Sequence, residues 1–158
     1  MGNGSWKNKI GRNRLYNSTF MEELGIPDVV HWEVLNIKKE QEFCIEFIST
    51  NSKYRQGIRL AVDAGKGYFE IDGENYGKDV YLLQDPSYKK VNIKCVSDEG
   101  LLSIYNVYDK GAGQGGIRSQ MDYSGMLAEK TETGFRYRCN DVGLTDTFDS
   151  LVFEISLL

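Results

Sequence analysis

The chain has 158 residues, a formal net charge of −4, 41% hydrophobic residues and 27% charged residues. This composition is typical of a soluble globular protein of one domain. A domain of this length buries roughly 70% of the surface that its unfolded chain exposes, so it needs no disulfide framework or structural metal to fold. The acidic balance argues against nucleic acid as the main partner.

Residues 1–20 are polar and rich in Asn and Gly. They predict a polar N-terminal arm or a first edge strand, with a short helical turn from Thr19 to Leu24 that Pro27 closes. No apolar stretch of signal-peptide length is visible, and no run approaches the about 18 apolar residues of a membrane span. We expect no membrane span, and the compartment stays open between the cytoplasm and release without a visible leader.

From residue 29 onward, apolar and polar side chains alternate, which marks strands with one buried and one exposed face. In the first such segment Val30, Trp32 and Val34 form the apolar set, which places His31 and Glu33 on the exposed face. The other apolar sets are Phe43, Ile45 and Phe47; Val91, Ile93 and Cys95; Phe135, Tyr137 and Cys139; and Leu151, Phe153 and Ile155. Further strands are predicted at 57–62, 67–72, 78–84, 101–108 and 124–130.

The connections between these strands are rich in Gly, Asp and Asn, and Asp72-Gly73 predicts a tight hairpin. No long helical period interrupts the strands, which argues against a parallel sheet with crossover helices. We therefore predict an all-β fold of about ten short strands, an antiparallel β-sandwich or jelly roll. The single domain would span residues 1–158, and a closed barrel is the alternative.

The residue types that most often carry catalysis are sparse. Cys44, Cys95 and Cys139 form no CxxC pair and lie within strands, which predicts buried free thiols, with one disulfide and one free thiol as the alternative. His31 is the only histidine, which excludes a multi-histidine metal site. It lies on a strand face beside Glu33, and a surface position is expected for it.

A glycine-rich stretch at 111–116 matches GxGxxG, but no helix pattern follows it, so a dinucleotide site is not indicated. Such a loop at one end of a sandwich is a frequent place for a binding site. We expect a ligand site around this loop, lined by Tyr105, Tyr108, Asp109, Arg118, Gln120, Asp122 and Tyr123.

Tyrosines are also frequent in the middle strands and their turns. A tyrosine offers a flat apolar face with a polar tip, which suits a half-exposed strand and a sugar ring equally well. Most are expected to form cross-strand pairs. Two or three could form a stacking platform, drawn from Tyr68, Phe69, Tyr76, Tyr81 and Tyr88 or from Tyr105, Tyr108 and Tyr123 beside the glycine-rich stretch.

The turn before the last strand is acidic. It offers Asn140, Asp141, Asp146 and Asp149 as oxygen ligands, with Gly143 permitting a sharp turn. Calcium prefers six to eight such oxygens, so these four residues are candidate calcium ligands, although the EF-hand spacing is absent. The alternative is a turn whose Asp and Asn side chains bind their own backbone.

Residues 146–153, Asp-Thr-Phe-Asp-Ser-Leu-Val-Phe, resemble the D-x-D-Y-N-D-L-V-F signature that closes a family of bacterial extracellular β-sandwich domains of uncharacterised function. These domains are commonly described as calcium-associated. The resemblance implies the closing strand of a sandwich and calcium as the cofactor. Thr147 and Ser150 stand where that pattern carries acidic residues, so two potential ligands are missing.

The sequence contains no compact catalytic motif. We therefore expect a non-catalytic, lectin-like module that recognises carbohydrate or another polar surface through tyrosines and end loops. One alternative is a protein-binding factor in bacterial conflict or assembly, such as an immunity, toxin-accessory or coat protein, and this leaves a homo-oligomer open. The other is a small enzyme with an interior pocket that uses Asp, Glu, Tyr or Arg in place of His.

Overall fold

The computed structural model describes residues 13–62, 65–87, 89–111, 116–119, 123–143 and 145–158. It is nearly all-β, with 59% of residues in strands and 4% in helix, which confirms the predicted fold class. In chain order the elements are β1 (Leu15–Tyr16), α1 (Thr19–Leu24), β2 (Val30–Asn36), β3 (Glu40–Thr50), β4 (Arg55–Ala61), β5 (Gly67–Ile71), β6 (Glu74–Asn75), β7 (Asp79–Leu83), β8 (Lys90–Ser97), β9 (Leu101–Asp109), β10 (Ile117–Ser119), β11 (Gly125–Lys130), β12 (Gly134–Asn140) and β13 (Leu151–Leu157).

The strands form one curled antiparallel sheet in the order β6-β5-β8-β3-β13-β12-β11-β2-β9-β4-β7. Beside this path β1 pairs with β2, and β10 pairs with β9. The curl depends on β2, because Val30 pairs with Met126 of β11 whereas Glu33 to Asn36 pair with β9. The sheet therefore folds over at β2 into two layers that pack face to face.

One contiguous hydrophobic cluster fills the space between the two layers. The first layer contributes the alternating residues Phe43, Ile45 and Phe47 of β3 and Leu151, Phe153 and Ile155 of β13, as the alternation predicts. The second layer contributes Ile58, Leu60, Leu102 and Ile104 from β4 and β9. The alternation of these strands thus sets both the sheet faces and the core.

The burial of β2 differs from the sequence prediction. Glu33, expected outside, is 1% exposed, while Trp32 and Val34, expected in the core, are half-buried on the outer face. Trp32 packs its ring against Tyr105 and donates its indole N–H to the Ser103 hydroxyl at 2.8 Å. Because this outer face is itself apolar and partly covered, hydrophobicity alone does not tell which face of β2 points inward.

Local signals in the sequence are confirmed at the short helix and at one hairpin. Helix α1 ends at Gly25, whose φ of 70° is left-handed. Asp72 and Gly73 have φ of 51° and 79° and join β5 to β6, as a tight hairpin turn requires. Within the described ranges, no helix has the length and apolar character needed to cross a membrane.

Strand β3 offers a matched test of the layer assignment. Ile45 is fully buried between the layers, whereas Ile48 is 41% exposed on the outer face. We expect Ile45→Ala to lower the free energy of unfolding by about 3 kcal/mol, because it removes buried methyl groups and leaves a cavity. Ile48→Ala should change it by less than about 0.5 kcal/mol. Urea unfolding of both variants measures the difference, and equal losses would contradict the assignment.

Candidate functional site

A cleft lies where the two ends of the curled sheet approach each other without pairing. Within the described strands, β7 pairs with β4 on one side and with no strand on the other. The cleft has a volume of about 660 Å³ and runs between β7, the β5–β6 hairpin and β8. It is therefore the place where the sheet does not close.

The lining of this cleft combines exposed aromatic rings with a few polar groups. Tyr76 and Tyr81 are 50% and 48% exposed and both line it. The apolar lining is formed by Ile71, Val80, Leu82 and Val91, and the polar lining by Asp72, Asp79, Lys90 and Asn92. The lining is thus mixed, with polar groups placed beside apolar and aromatic side chains, and such a concave surface is a candidate ligand site.

One carboxylate of the cleft is already held by a cation. Arg59 Nη2 donates to Asp79 Oδ2 at 3.0 Å, and the Arg59 guanidinium also lies 5.4 Å from the centre of the Tyr105 ring. Burial is the largest single influence on the pKa of Arg59 and lowers it, but the interactions with Asp79 and Tyr105 together raise that pKa above its usual value. This pair connects the cleft to the aromatic outer face of β9.

A second opening lies where β2 leaves β11. This cavity has a volume of about 800 Å³ and is bordered by β1, β2 and the β11–β12 hairpin. Glu33 points into it from β2 and is 1% exposed. Arg14 binds both carboxylate oxygens, with Nε 2.8 Å from Oε1 and Nη2 2.6 Å from Oε2. The buried Tyr137 hydroxyl donates to Oε2 at 2.7 Å.

The electrostatics of this cavity keep the Arg14 guanidinium charged and the Tyr137 phenol protonated. Hydrogen bonding to Glu33 raises the pKa of Arg14 above its usual value. Burial raises the pKa of Tyr137, and the charge of Glu33 raises it further. Since Tyr137 stays protonated and both Glu33 oxygens accept donors, the arrangement suits binding of a planar cation better than proton transfer.

The structure places five of the seven predicted loop-site residues, while Gln120 and Asp122 lie outside the described residues. Tyr108, Asp109 and Arg118 come together on the β9–β10 hairpin, where Arg118 pairs with Tyr108 in register. Asp109 Oδ1 accepts the Gly111 N–H at 2.8 Å, so it caps the start of the loop. Tyr123 is exposed, near the start of β11.

Tyr105 and Tyr108 do not share a surface. They lie three positions apart in β9, so they point to opposite faces of the sheet. Tyr105 is packed against Trp32 on the outer face, and Tyr108 lies 5.4 Å from the Tyr54 ring at the end of the sandwich. Both are buried, at 7% and 3% exposure, which leaves little of either ring for a ligand.

Asp141, one of the predicted calcium ligands, is buried at 4% exposure. Its Oδ2 accepts from the Ser52 hydroxyl at 2.5 Å and from Gln56 Nε2 at 2.9 Å. Its Oδ1 accepts from the Val142 N–H at 2.6 Å and from the Ser150 hydroxyl at 3.1 Å. The Asp141 carboxylate thus connects the β3–β4 loop, strand β4 and the turn before β13 at the end of the sandwich.

The other three predicted ligands lie at the turn but serve different contacts. Asn140 Nδ2 donates to the carbonyls of Tyr123 and Gly143, at 2.7 and 2.6 Å. Asp149 Oδ2 accepts from Asn51 at 2.8 Å, and Asp146 is exposed. The described residues contain no group of three or more His, Cys, Asp or Glu side chains suited to a metal. Calcium binding at this turn stays a prediction.

The described cysteines are free thiols, and the pKa of each of the two buried ones is raised. Cys44, Cys95 and Cys139 are free, and the last two are buried. Burial raises the pKa of Cys95 to about 12 and that of Cys139 well above its usual value, so neither forms a thiolate at neutral pH. His31 is half-buried, and its Nδ1 has no hydrogen-bond partner among the described residues.

Neither opening was identified from the sequence. The sequence offers Tyr76 and Tyr81 only as two of several candidates for a stacking platform, and its alternation places Glu33 on the exposed face of β2. Tyr137 and Glu33 are 104 positions apart, so only the fold shows their contact. At β7 the residue types do indicate an exposed ring. Tyr81 alternates with the buried Val80 and Leu82, so its side chain points outward.

Replacing Tyr137 by Phe tests the role of the hydroxyl at Glu33. We expect Tyr137→Phe to lower the free energy of unfolding by about 1–3 kcal/mol at neutral pH, because a buried carboxylate loses a donor. Tyr76→Phe, at an exposed ring, is the matched control and should leave stability unchanged. Chemical denaturation of both variants provides the measurement.

The same pair of variants has a distinct signature at alkaline pH. Because the folded pKa of Tyr137 is raised, its contribution to stability is complete below the unfolded value of about 10 and is lost as pH rises further. The wild type should therefore lose stability more steeply than Tyr137→Phe above about pH 10. Parallel slopes in the two proteins would contradict the buried, protonated phenol.

Comparison with known proteins places the chain in no family. No family model matches it, no curated protein is similar enough to match, and no solved structure matches. The resemblance of residues 146–153 to calcium-associated sandwich domains therefore stays a prediction. The two openings are defined by the geometry of this chain alone.

Proposed function

We propose that the chain is a non-catalytic, lectin-like binding module that holds a carbohydrate in the cleft beside β7. The observation that carries this proposal is the pair of half-exposed tyrosines, Tyr76 and Tyr81, on a cleft of about 660 Å³ with a mixed polar and apolar lining. The cleft replaces the end loops of the sandwich as the leading candidate for the ligand site, because Tyr105 and Tyr108 are buried on opposite faces of β9.

The chemistry of the cleft suits a polyhydroxylated ring. The C–H face of a sugar can pack on an aromatic ring, while its hydroxyls need hydrogen-bond partners. Asp72 and Asn92 supply acceptor oxygens, and Lys90 and Asn92 supply donors. The volume falls within the range of about 300–1,000 Å³ that ligand sites occupy. The cleft is therefore suited to a short stretch of a glycan.

The acidic groups of the cleft can serve ligand binding. Asp79 is engaged by Arg59 at 3.0 Å as an ion pair. The pair holds the Asp79 carboxylate in place as an acceptor for a ligand hydroxyl.

A second candidate, recognition of a protein strand, is favoured by the free edge of β7. The Val62 N–H donates to Lys78 O, and the Gln84 N–H donates to Gln56 O. These two bonds fix which backbone groups of β7 face β4. The N–H and C=O groups of Val80 and Leu82 point toward β4, and those of Tyr81 point toward the cleft. An unpaired edge of this kind can accept a strand from a partner.

Glycan-array screening followed by calorimetry on the best ligand tests the carbohydrate proposal. We expect Tyr76→Ala and Tyr81→Ala each to weaken binding at least tenfold, about 1.4 kcal/mol, because each removes a stacking surface. Tyr68→Ala is the matched control, since Tyr68 is 36% exposed and does not line the cleft. It should leave the affinity unchanged.

The results separate the two candidates. Failure of every glycan to bind, or an equal loss in Tyr68→Ala, would contradict carbohydrate recognition in the cleft. Strand addition predicts instead that Tyr81→Ala keeps much of the affinity for a protein partner, because the backbone groups of residue 81 remain. Folding of each variant is checked by its far-ultraviolet circular dichroism.

A further inference from the structure

We propose that the cavity around Glu33 is a guanidinium-binding site, that Arg14 occupies it as an internal ligand, and that an external guanidinium group can take Arg14's place. This site is separate from the cleft beside β7, since the residues lining the two openings do not overlap. The proposal therefore stands or fails independently of carbohydrate binding.

The cavity requires a cation. Glu33 is 1% exposed, and an isolated carboxylate at such a position costs several kcal/mol of desolvation. Tyr137 and the Val34 N–H each donate one hydrogen bond to it, at 2.7 and 3.0 Å, but neither carries charge. The positive charge in contact with Glu33 comes from Arg14. Lys130 also lines the cavity, with its Nζ 5.2 Å from the centre of the Phe135 ring. If Arg14 leaves, Glu33 must either take up a proton or pair with another cation.

The shape of the site selects a planar cation. The two nitrogens of Arg14 meet the two oxygens of Glu33 side by side, which is the pairing that a guanidinium makes and an ammonium cannot. The guanidinium carbon lies 5.7 Å from the centre of the Phe135 ring and 5.9 Å from that of Tyr16. Aromatic faces at these distances attract a cation.

The acceptor side of the site is held more firmly than the donor side. Glu33 lies on β2 and pairs with Ile104 of β9, and Tyr137 is fully buried in β12. Arg14, by contrast, precedes the two-residue strand β1, whose register shifts between its two residues. The receptor can therefore persist when the internal ligand is withdrawn.

The cavity also has space for exchange. Its volume is about 800 Å³, and the Arg14 side chain is 28% exposed rather than enclosed. Solvent thus reaches the guanidinium while the carboxylate beneath stays buried. The ligand chemistry is that of a guanidinium, carried either by a small molecule or by an arginine side chain of a partner protein.

Chemical rescue tests the site directly. Arg14→Ala should melt at a lower temperature than the wild type, and methylguanidinium in the low millimolar range should raise its melting temperature. At ten times its dissociation constant, the expected rise is about 4 °C. Methylammonium at equal ionic strength should give a smaller rise. The double variant Arg14→Ala, Glu33→Gln should show no rise with either compound.

A second measurement does not depend on the folding of Arg14→Ala. In the wild type, NMR of the Arg14 Nε–H reports its bond to Glu33, and titration with methylguanidinium should displace that signal. Titration with a short arginine peptide, against its citrulline counterpart, distinguishes the two sources of the ligand. Displacement by the arginine peptide but not by methylguanidinium points to a protein partner. Displacement by both the arginine peptide and methylguanidinium points to a site that also admits small guanidinium compounds.

Arg14→Lys provides a folded background if Arg14→Ala does not fold. Its ammonium can pair with Glu33 but cannot match both oxygens side by side, so methylguanidinium should stabilise it too. The proposal is overturned if neither variant gains stability from methylguanidinium and the wild-type Arg14 signal does not move. Arg14 would then be a fixed structural ion pair.

Discussion

The change of pairing partner along β2 is the constraint on which the rest of the structure depends. Its first residue, Val30, pairs with β11, and its second half pairs with β9, so one continuous sheet becomes two facing layers. The same change separates β2 from β11 beyond Val30, and Glu33 lies buried at the resulting opening. The charge of a buried carboxylate beside an opening must then be neutralised. Arg14 does so, and Tyr137 donates a further hydrogen bond.

The two openings are consequences of an incompletely closed sheet, but their chemistry differs. At the β2–β11 opening, a buried charge makes the cavity selective for a cation, and the chain supplies its own. At the far ends of the sheet, β7 keeps a free edge, and the cleft beside it carries exposed tyrosines. Natural sheets commonly protect such edges. An edge left open beside exposed aromatic rings suits recognition of another molecule.

The all-β class and much of the core follow from the sequence because their signals are local. The alternation of Phe43, Ile45 and Phe47 sets the inner face of β3, and Asp72-Gly73 sets a hairpin. Residues at odd spacing on one strand, such as Tyr105 and Tyr108, must point to opposite faces. The spacing of Tyr105 and Tyr108 in the sequence therefore places these two residues of the predicted loop site on opposite faces of β9.

The site geometry could not be derived in the same way, because it depends on long-range contacts. Glu33 alternates with Trp32 and Val34 as an exposed residue would, and only pairing with β9 shows that it points inward. Likewise, Tyr76 and Asn92 border one cleft because strands distant in sequence stop short of pairing. Composition indicates the loop residues near the glycine-rich stretch as candidates for a ligand site, but composition does not report whether a side chain is buried.

Backbone amide hydrogen exchange along β7 tests the open edge most directly. If the sheet is open, the Tyr81 amide, which points into the cleft, exchanges fast, while those of Val80 and Leu82, bonded to β4, exchange slowly. Slow exchange at all three positions would mean that β7 is paired on both sides. That result would contradict the cleft and the binding function proposed for it.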